Sequence, residues 1–166
     1  IPCILYNVPG RTGCSISEKN VARLAKHPSA FGIKEASGNI GYATKIARYL
    51  SDDFCMFSGN DDIVLPMMAL GSRGVISVWA NVQPKEVHDM CHAWLAGDHA
   101  AALKTQLAGI ELVDSLFCEV NPIPVKYALE LMGFGKAVYR QPLCEPSDAA
   151  KATIAAAMEV ESGSEP

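Results

Sequence analysis

A repeated strand-and-helix rhythm in the first half of the chain constrains its fold more than any other feature. Four short β-rich runs, residues 3–6, 30–34, 54–58 and 74–78, begin at intervals of about 20 to 27 residues. That is the length a parallel strand and its crossover helix occupy. The runs are largely apolar, the pattern of parallel strands buried on both faces. Helical signals fill the gaps. Ser15 and Glu18 have the spacing of a capping box, Val21, Leu24 and Ala25 follow at helical intervals, and Pro28 lies beyond the end. Ala43, Ile46, Ala47 and Leu50 share one face of a helix over 41–50, and an apolar helix over 61–70 stops before Gly71. Residues 1–80 therefore read as βαβαβαβ.

Helices then take over. Pro84 suits a first helical position, and the helix runs over 85–96 to Gly97. Residues 99–117 read as one long helix, with Leu103, Leu107, Ile110, Val113 and Phe117 along its buried stripe. A third helix begins near Pro124 and ends at Gly133, and a fourth runs from about Pro146 to Glu159. The expected organisation is a barrel half of four βα units over 1–96, a helical appendage over 97–160 and a frayed polar tail over 161–166. Parallel βα repeats build either an open doubly wound sheet or a (β/α)8 barrel, and this pattern alone admits both.

Composition narrows the function classes. With 49% hydrophobic and 19% charged residues the chain is globular rather than disordered. A net charge of −4 leaves no basic footprint for nucleic acid, and no apolar run approaches the roughly 20 residues that cross a bilayer. The six cysteines (3, 14, 55, 91, 118 and 144) are scattered without a Cys-x-x-Cys pair. They read as reduced thiols of a cytoplasmic protein rather than as zinc ligands or a disulfide framework. The opening Ile1-Pro2-Cys3 has no initiator Met and no basic n-region, and it falls within a strand pattern. Further sequence is therefore expected upstream.

In either βα architecture the C-terminal strand ends carry the site. Tyr6, Lys34, Gly59 and Ile76 stand at or just beyond the ends of four successive strands and so share one rim. Lys34 follows Phe31-Gly32-Ile33, an apolar setting in which a lysine is out of place unless paired or functional. Burial lowers an ammonium pKa from about 10.4, and the neutral amine is what attacks a carbonyl. The structural alternative is a lysine that snorkels to solvent or pairs with Glu35. Tyr6 has a hydroxyl that both donates and accepts hydrogen bonds, with simple packing as its alternative. Arg11, in the loop after the first strand, has a guanidinium fork suited to a carboxylate, and otherwise is an exposed loop residue.

The motifs around these residues, Tyr6-Asn7-Val8-Pro9-Gly10-Arg11-Thr12-Gly13 and Gly32-Ile33-Lys34-Glu35-Ala36-Ser37-Gly38, resemble the dihydrodipicolinate synthase family. This is a branch of the pyruvate-dependent class I aldolases that also include N-acetylneuraminate lyase. Phe57-Ser58-Gly59-Asn60-Asp61, Gly74-Val75-Ile76-Ser77-Val78 and Asn121-Pro122-Ile123-Pro124-Val125-Lys126 extend the similarity over essentially the whole chain. The resemblance implies the C-terminal half of a (β/α)8 barrel, with Lys34 forming an imine with pyruvate and Tyr6 relaying protons. Arg11 would hold the carboxylate of L-aspartate semialdehyde, while Gly59 and Ile76 line the pocket. It implies an enzyme of lysine biosynthesis that needs no cofactor or metal and assembles as a tetramer. It also implies an incomplete relay, because the family's other barrel half supplies a threonine and a second tyrosine. Two further readings stay open: a sibling lyase or dehydratase with another acceptor, and a non-catalytic half-barrel.

Other candidates read as structure. His88 and His92 lie i, i+4 on one helix, but without the zincin glutamate they form a solvated face. Lys126 opens a helix rather than ending a strand. Asp52–Asp53 read as a solvated loop, and Asp61–Asp62 as carboxylates at a helix start.

Overall fold

Three of the four β-rich runs pair as parallel strands: β1 (Cys3–Asn7), β2 (Ala30–Glu35) and β3 (Cys55–Ser58), in the order β1-β2-β3. The computed structural model describes residues 1–162. Tyr6 pairs with Lys34 and Asn7 with Glu35, and Lys34 in turn pairs with Phe57 and Glu35 with Ser58. Side chains alternate across these strands. Ile33 and Met56, both fully buried, point with Leu5 into a core completed by Val21, Ala43, Ile46, Phe54 and Met67. Each of the larger of these side chains contributes on the order of 1.5–3 kcal/mol by leaving water. The opposite face carries Ile4 and Tyr6, which are exposed, and Lys34 and Phe57, which are half-buried. The expected burial of both faces therefore fails, because the helices of this unit cover one side of the sheet only.

The fourth run is not a strand. It makes a single parallel bridge between Ser58 and Val75, with Ser58 N–H donating to Gly74 O and Ile76 N–H to Ser58 O, both at 2.9 Å. Gly74 has φ 144°, a conformation that breaks a regular strand, and a one-turn 3-10 helix begins at Trp79.

The helices that fill the gaps start and stop differently from their sequence signals. A one-turn helix, α1 (Pro9–Thr12), follows β1 and closes on Gly13 at φ 70°. Helix α2 (Glu18–Leu24) is capped by Ser17, whose Oγ accepts from Asn20 N–H at 3.3 Å, and not by Ser15. Glu18 does not complete a capping box. Its carboxylate accepts from Tyr49 Oη at 3.0 Å and pairs with Arg48 at 3.2 Å. Asn39 caps α3 (Ile40–Ala47), its Oδ1 accepting from Tyr42 N–H at 2.9 Å. Helix α4 (Val64–Ala69) is shorter than the apolar run that announces it.

The chain divides into two compact units, residues 1–77 with 91–102, and residues 78–90 with the chain from 103 onward. The remaining helices are α5 (Pro84–Leu95), α6 (His99–Ala108), α7 (Ile110–Leu116), α8 (Ile123–Leu131) and α9 (Asp148–Ser162). In the second unit α7, α8 and α9 pack on one another through Leu112, Leu116, Ala128 and Ile154, all fully buried. The single helix expected over 99–117 is broken at Gly109. A Cβ there would sit 2.1 Å from Trp79 Cζ2, so the buried indole requires bare backbone at that point. Helix α9 runs past its expected end at Glu159, and residues 163–166 of the expected frayed tail lie outside the described residues.

Candidate active site

The register that pairs Tyr6 with Lys34 puts both side chains on the open face of the sheet, on strands about 4.8 Å apart. Lys34 Nζ stands 4.5 Å from the centroid of the Tyr6 ring, within the range at which a cation is attracted to an aromatic face. Gly59 follows β3, its N–H donating to Glu35 O at 2.7 Å. A Cβ at Gly59 would lie 3.0 Å from Lys34 Cε and 2.5 Å from Ala36 Cβ. The glycine thus leaves the volume through which the lysine stem extends. Ile76 is exposed just past the Ser58–Val75 bridge, and Arg11 is exposed on α1. Tyr6, Lys34 and Gly59 are thereby brought together, while Arg11 and Ile76 stand on segments that leave the same ends of the strands.

Lys34 is half-buried rather than enclosed, because its face of the sheet is open. Pairing with Glu35, the structural alternative, is not what the carboxylate does. Glu35 is only 2% exposed. Its Oε2 accepts from Asn7 Nδ2 and its Oε1 from Ser37 N–H, both at 2.7 Å. Asn7, equally buried, accepts at Oδ1 from Ile16 N–H at 2.9 Å. Tyr42 Oη donates to Ile16 O at 2.6 Å, and its pKa is pushed up to about 12, first by burial and then by the negative charges of Glu35 and Glu18. Sequence reasoning missed this network. Its one visible signal is a pair of polar residues ending two apolar strands, each directly after a site residue.

A cavity of about 550 Å³ opens at the other ends of the strands, between Pro2, Phe31 and Asp53. It is remote from the C-terminal strand ends, where a βα fold assembles its chemistry. Among the described residues no cluster of three or more His, Cys, Asp or Glu gathers to hold a metal. His88 and His92 are exposed on α5, with His88 Nδ1 3.0 Å from Asp89 Oδ1. Lys126 Nζ donates to Val138 O and lies over the Tyr139 ring within its own unit. No helix among the described residues is long and apolar enough to cross a membrane.

Residues 1–161 match the Dihydrodipicolinate synthetase family. The chain belongs to that family. It is 48% identical over 143 residues to the 4-hydroxy-tetrahydrodipicolinate synthase of Alkaliphilus oremlandii, covering 86% of this chain and 49% of the relative. Among solved members of the dihydrodipicolinate synthase group, the Aquifex aeolicus enzyme superposes with a TM-score of 0.94 at 37% identity, over 98% of this chain and 56% of that one. The chloride-inhibited enzyme of Acinetobacter baumannii, complexed with pyruvate, gives 0.91 at 37% identity, over 96% and 55%. The chain spans about half the length of the curated relatives it matches. The family has a TIM-barrel-type α/β fold, and the three parallel strands with their helices are consistent with part of such a barrel.

Proposed function

We propose that this chain is the lysine-bearing half of a (β/α)8 barrel that condenses pyruvate with L-aspartate semialdehyde in lysine biosynthesis. The observation that carries the reading is the position of Lys34 Nζ, 4.5 Å from the Tyr6 ring and against the cleared space at Gly59. The amine adds to the pyruvate carbonyl and expels water to form an imine. Loss of a methyl proton gives an enamine, whose carbon forms a new bond to the aldehyde carbon while the aldehyde oxygen takes up a proton. Tyr6 carries these protons, a role that suits a neighbouring hydroxyl because it can donate and accept in turn. Arg11 receives the carboxylate of the acceptor, and Gly59 and Ile76 line the pocket. The pyruvate held by the Acinetobacter baumannii relative supports pyruvate as the donor.

The helices from α6 onward make the appendage to the barrel half. The open face of the sheet and the outer edge of β1 support a homo-oligomer, a tetramer as in the family the sequence resembles. The free cysteine thiols fit the reducing cytoplasm. Borohydride trapping with pyruvate, located by peptide mass, tests the proposal. One reduced pyruvate adduct on the peptide bearing Lys34 is expected, and a folded sample that carries none overturns it.

A further inference from the structure

The buried network beneath the site has a directionality that points to a further role. Ile16 N–H can only donate, so the Asn7 amide must turn Oδ1 towards it at 2.9 Å. Asn7 Nδ2 is therefore committed to residue 35. Ser37 N–H, also a donor, faces the other oxygen of that residue at 2.7 Å. Residue 35 must accept at both positions, which a carboxylate does and a carboxamide cannot. Glu35 and Asn7 are buried at 2% and 1% exposure, where a mismatched donor finds no water to relieve it. The pair sits directly after Lys34 and Tyr6 in the same register, and Ala36 N–H donating to Asn7 O at 2.9 Å continues the ladder past them.

We infer that Asn7 and Glu35 are positioning residues that hold the Tyr6 ring over the Lys34 amine, through a hydrogen-bond pattern requiring two acceptors at position 35. The geometry stands without the proposed chemistry, while its catalytic consequence rests on the pyruvate-imine reading. A compensating swap tests it. Glu35→Gln sets one donor against another. Asn7→Asp combined with Glu35→Gln restores every pairing, because the new carboxylate accepts from both Ile16 N–H and the new amide, while the remaining amide oxygen accepts from Ser37 N–H.

Two readouts are taken on the 166-residue chain and its variants. The first is the upfield ring-current shift of the Lys34 side-chain methylenes in 13C-lysine-labelled protein, assigned with Lys34→Arg and sensed against Tyr6→Leu. The second is the rate of pyruvate trapping by borohydride. Glu35→Gln is expected to lose most of the upfield shift and to trap about tenfold more slowly, as a buried unsatisfied donor dictates, and the double variant is expected to recover both. A Glu35→Gln shift equal to wild type, or a double variant that folds no better and recovers no shift, overturns the inference. Recovery of the shift in a chain that never traps pyruvate upholds the positioning role and rejects the imine reading instead.

Discussion

Lys34 reaches the Tyr6 ring across space that Gly59 leaves empty, so the smallest side chain at the site is the one that tolerates least change. Gly59→Ala is expected to push Lys34 Cε and Ala36 apart, costing about 1–3 kcal/mol of stability as overpacking does. Pyruvate trapping should fall further than stability does, a comparison made by urea denaturation alongside adduct yield. Tyr42 gives a second expectation. Its folded pKa of about 12 lies above the unfolded value near 10, so the folded chain holds the proton more tightly. Its contribution is complete below pH 10 and is lost as pH rises from 10 towards 12. Tyr42→Phe should flatten that part of a denaturation-versus-pH curve. The meeting of Lys34 and Tyr6 was legible in the sequence because each ends an apolar run on neighbouring strands. Asn7 and Glu35 were not, because their partners are backbone amides of Ile16 and Ser37, on loops whose paths only the folded chain determines.

Element boundaries depart from their signals wherever a tertiary contact competes with a local one. The spacing of Ser15 and Glu18 reads as a capping box, yet Glu18 is drawn to Tyr49 and Arg48, and Ser17 caps α2. Ser17→Ala should therefore cost about 1 kcal/mol and Ser15→Ala almost nothing, as measured by thermal unfolding. Gly109 offers the sharper contrast. Helix propensity alone would make Gly109→Ala stabilising by about 1 kcal/mol. The Trp79 indole at 2.1 Å from the added carbon makes it destabilising instead, with a lowered Tm. Three of the four apolar runs read as strands do form strands. The run over 74–78 was equally apolar, but it opens on Gly74 at φ 144°, outside strand conformation, and makes only the one bridge at Val75.

At the scale of the whole molecule, one face of the sheet is packed on helices and the other, bearing Tyr6 and Lys34, is open. The sequence could not distinguish this from two-sided burial, because an apolar strand looks the same whether or not its second face has found a partner. The 166-residue chain alone is expected to give no turnover of pyruvate with L-aspartate semialdehyde and to self-associate in size-exclusion chromatography. Co-expression with the complementary portion of a full-length relative should restore turnover, followed by coupled assay. The register of β1 against β2 has a longer reach. Tyr6 and Lys34 are 28 positions apart in sequence, yet they are partners across one rung of the β1–β2 ladder. Their separation is set by strand pairing and is indifferent to the length of the turn over 25–29 at the far end of the unit. Lineages, or an engineer, can lengthen or replace that turn and hang new surfaces from it without moving Tyr6 from Lys34 at the opposite rim.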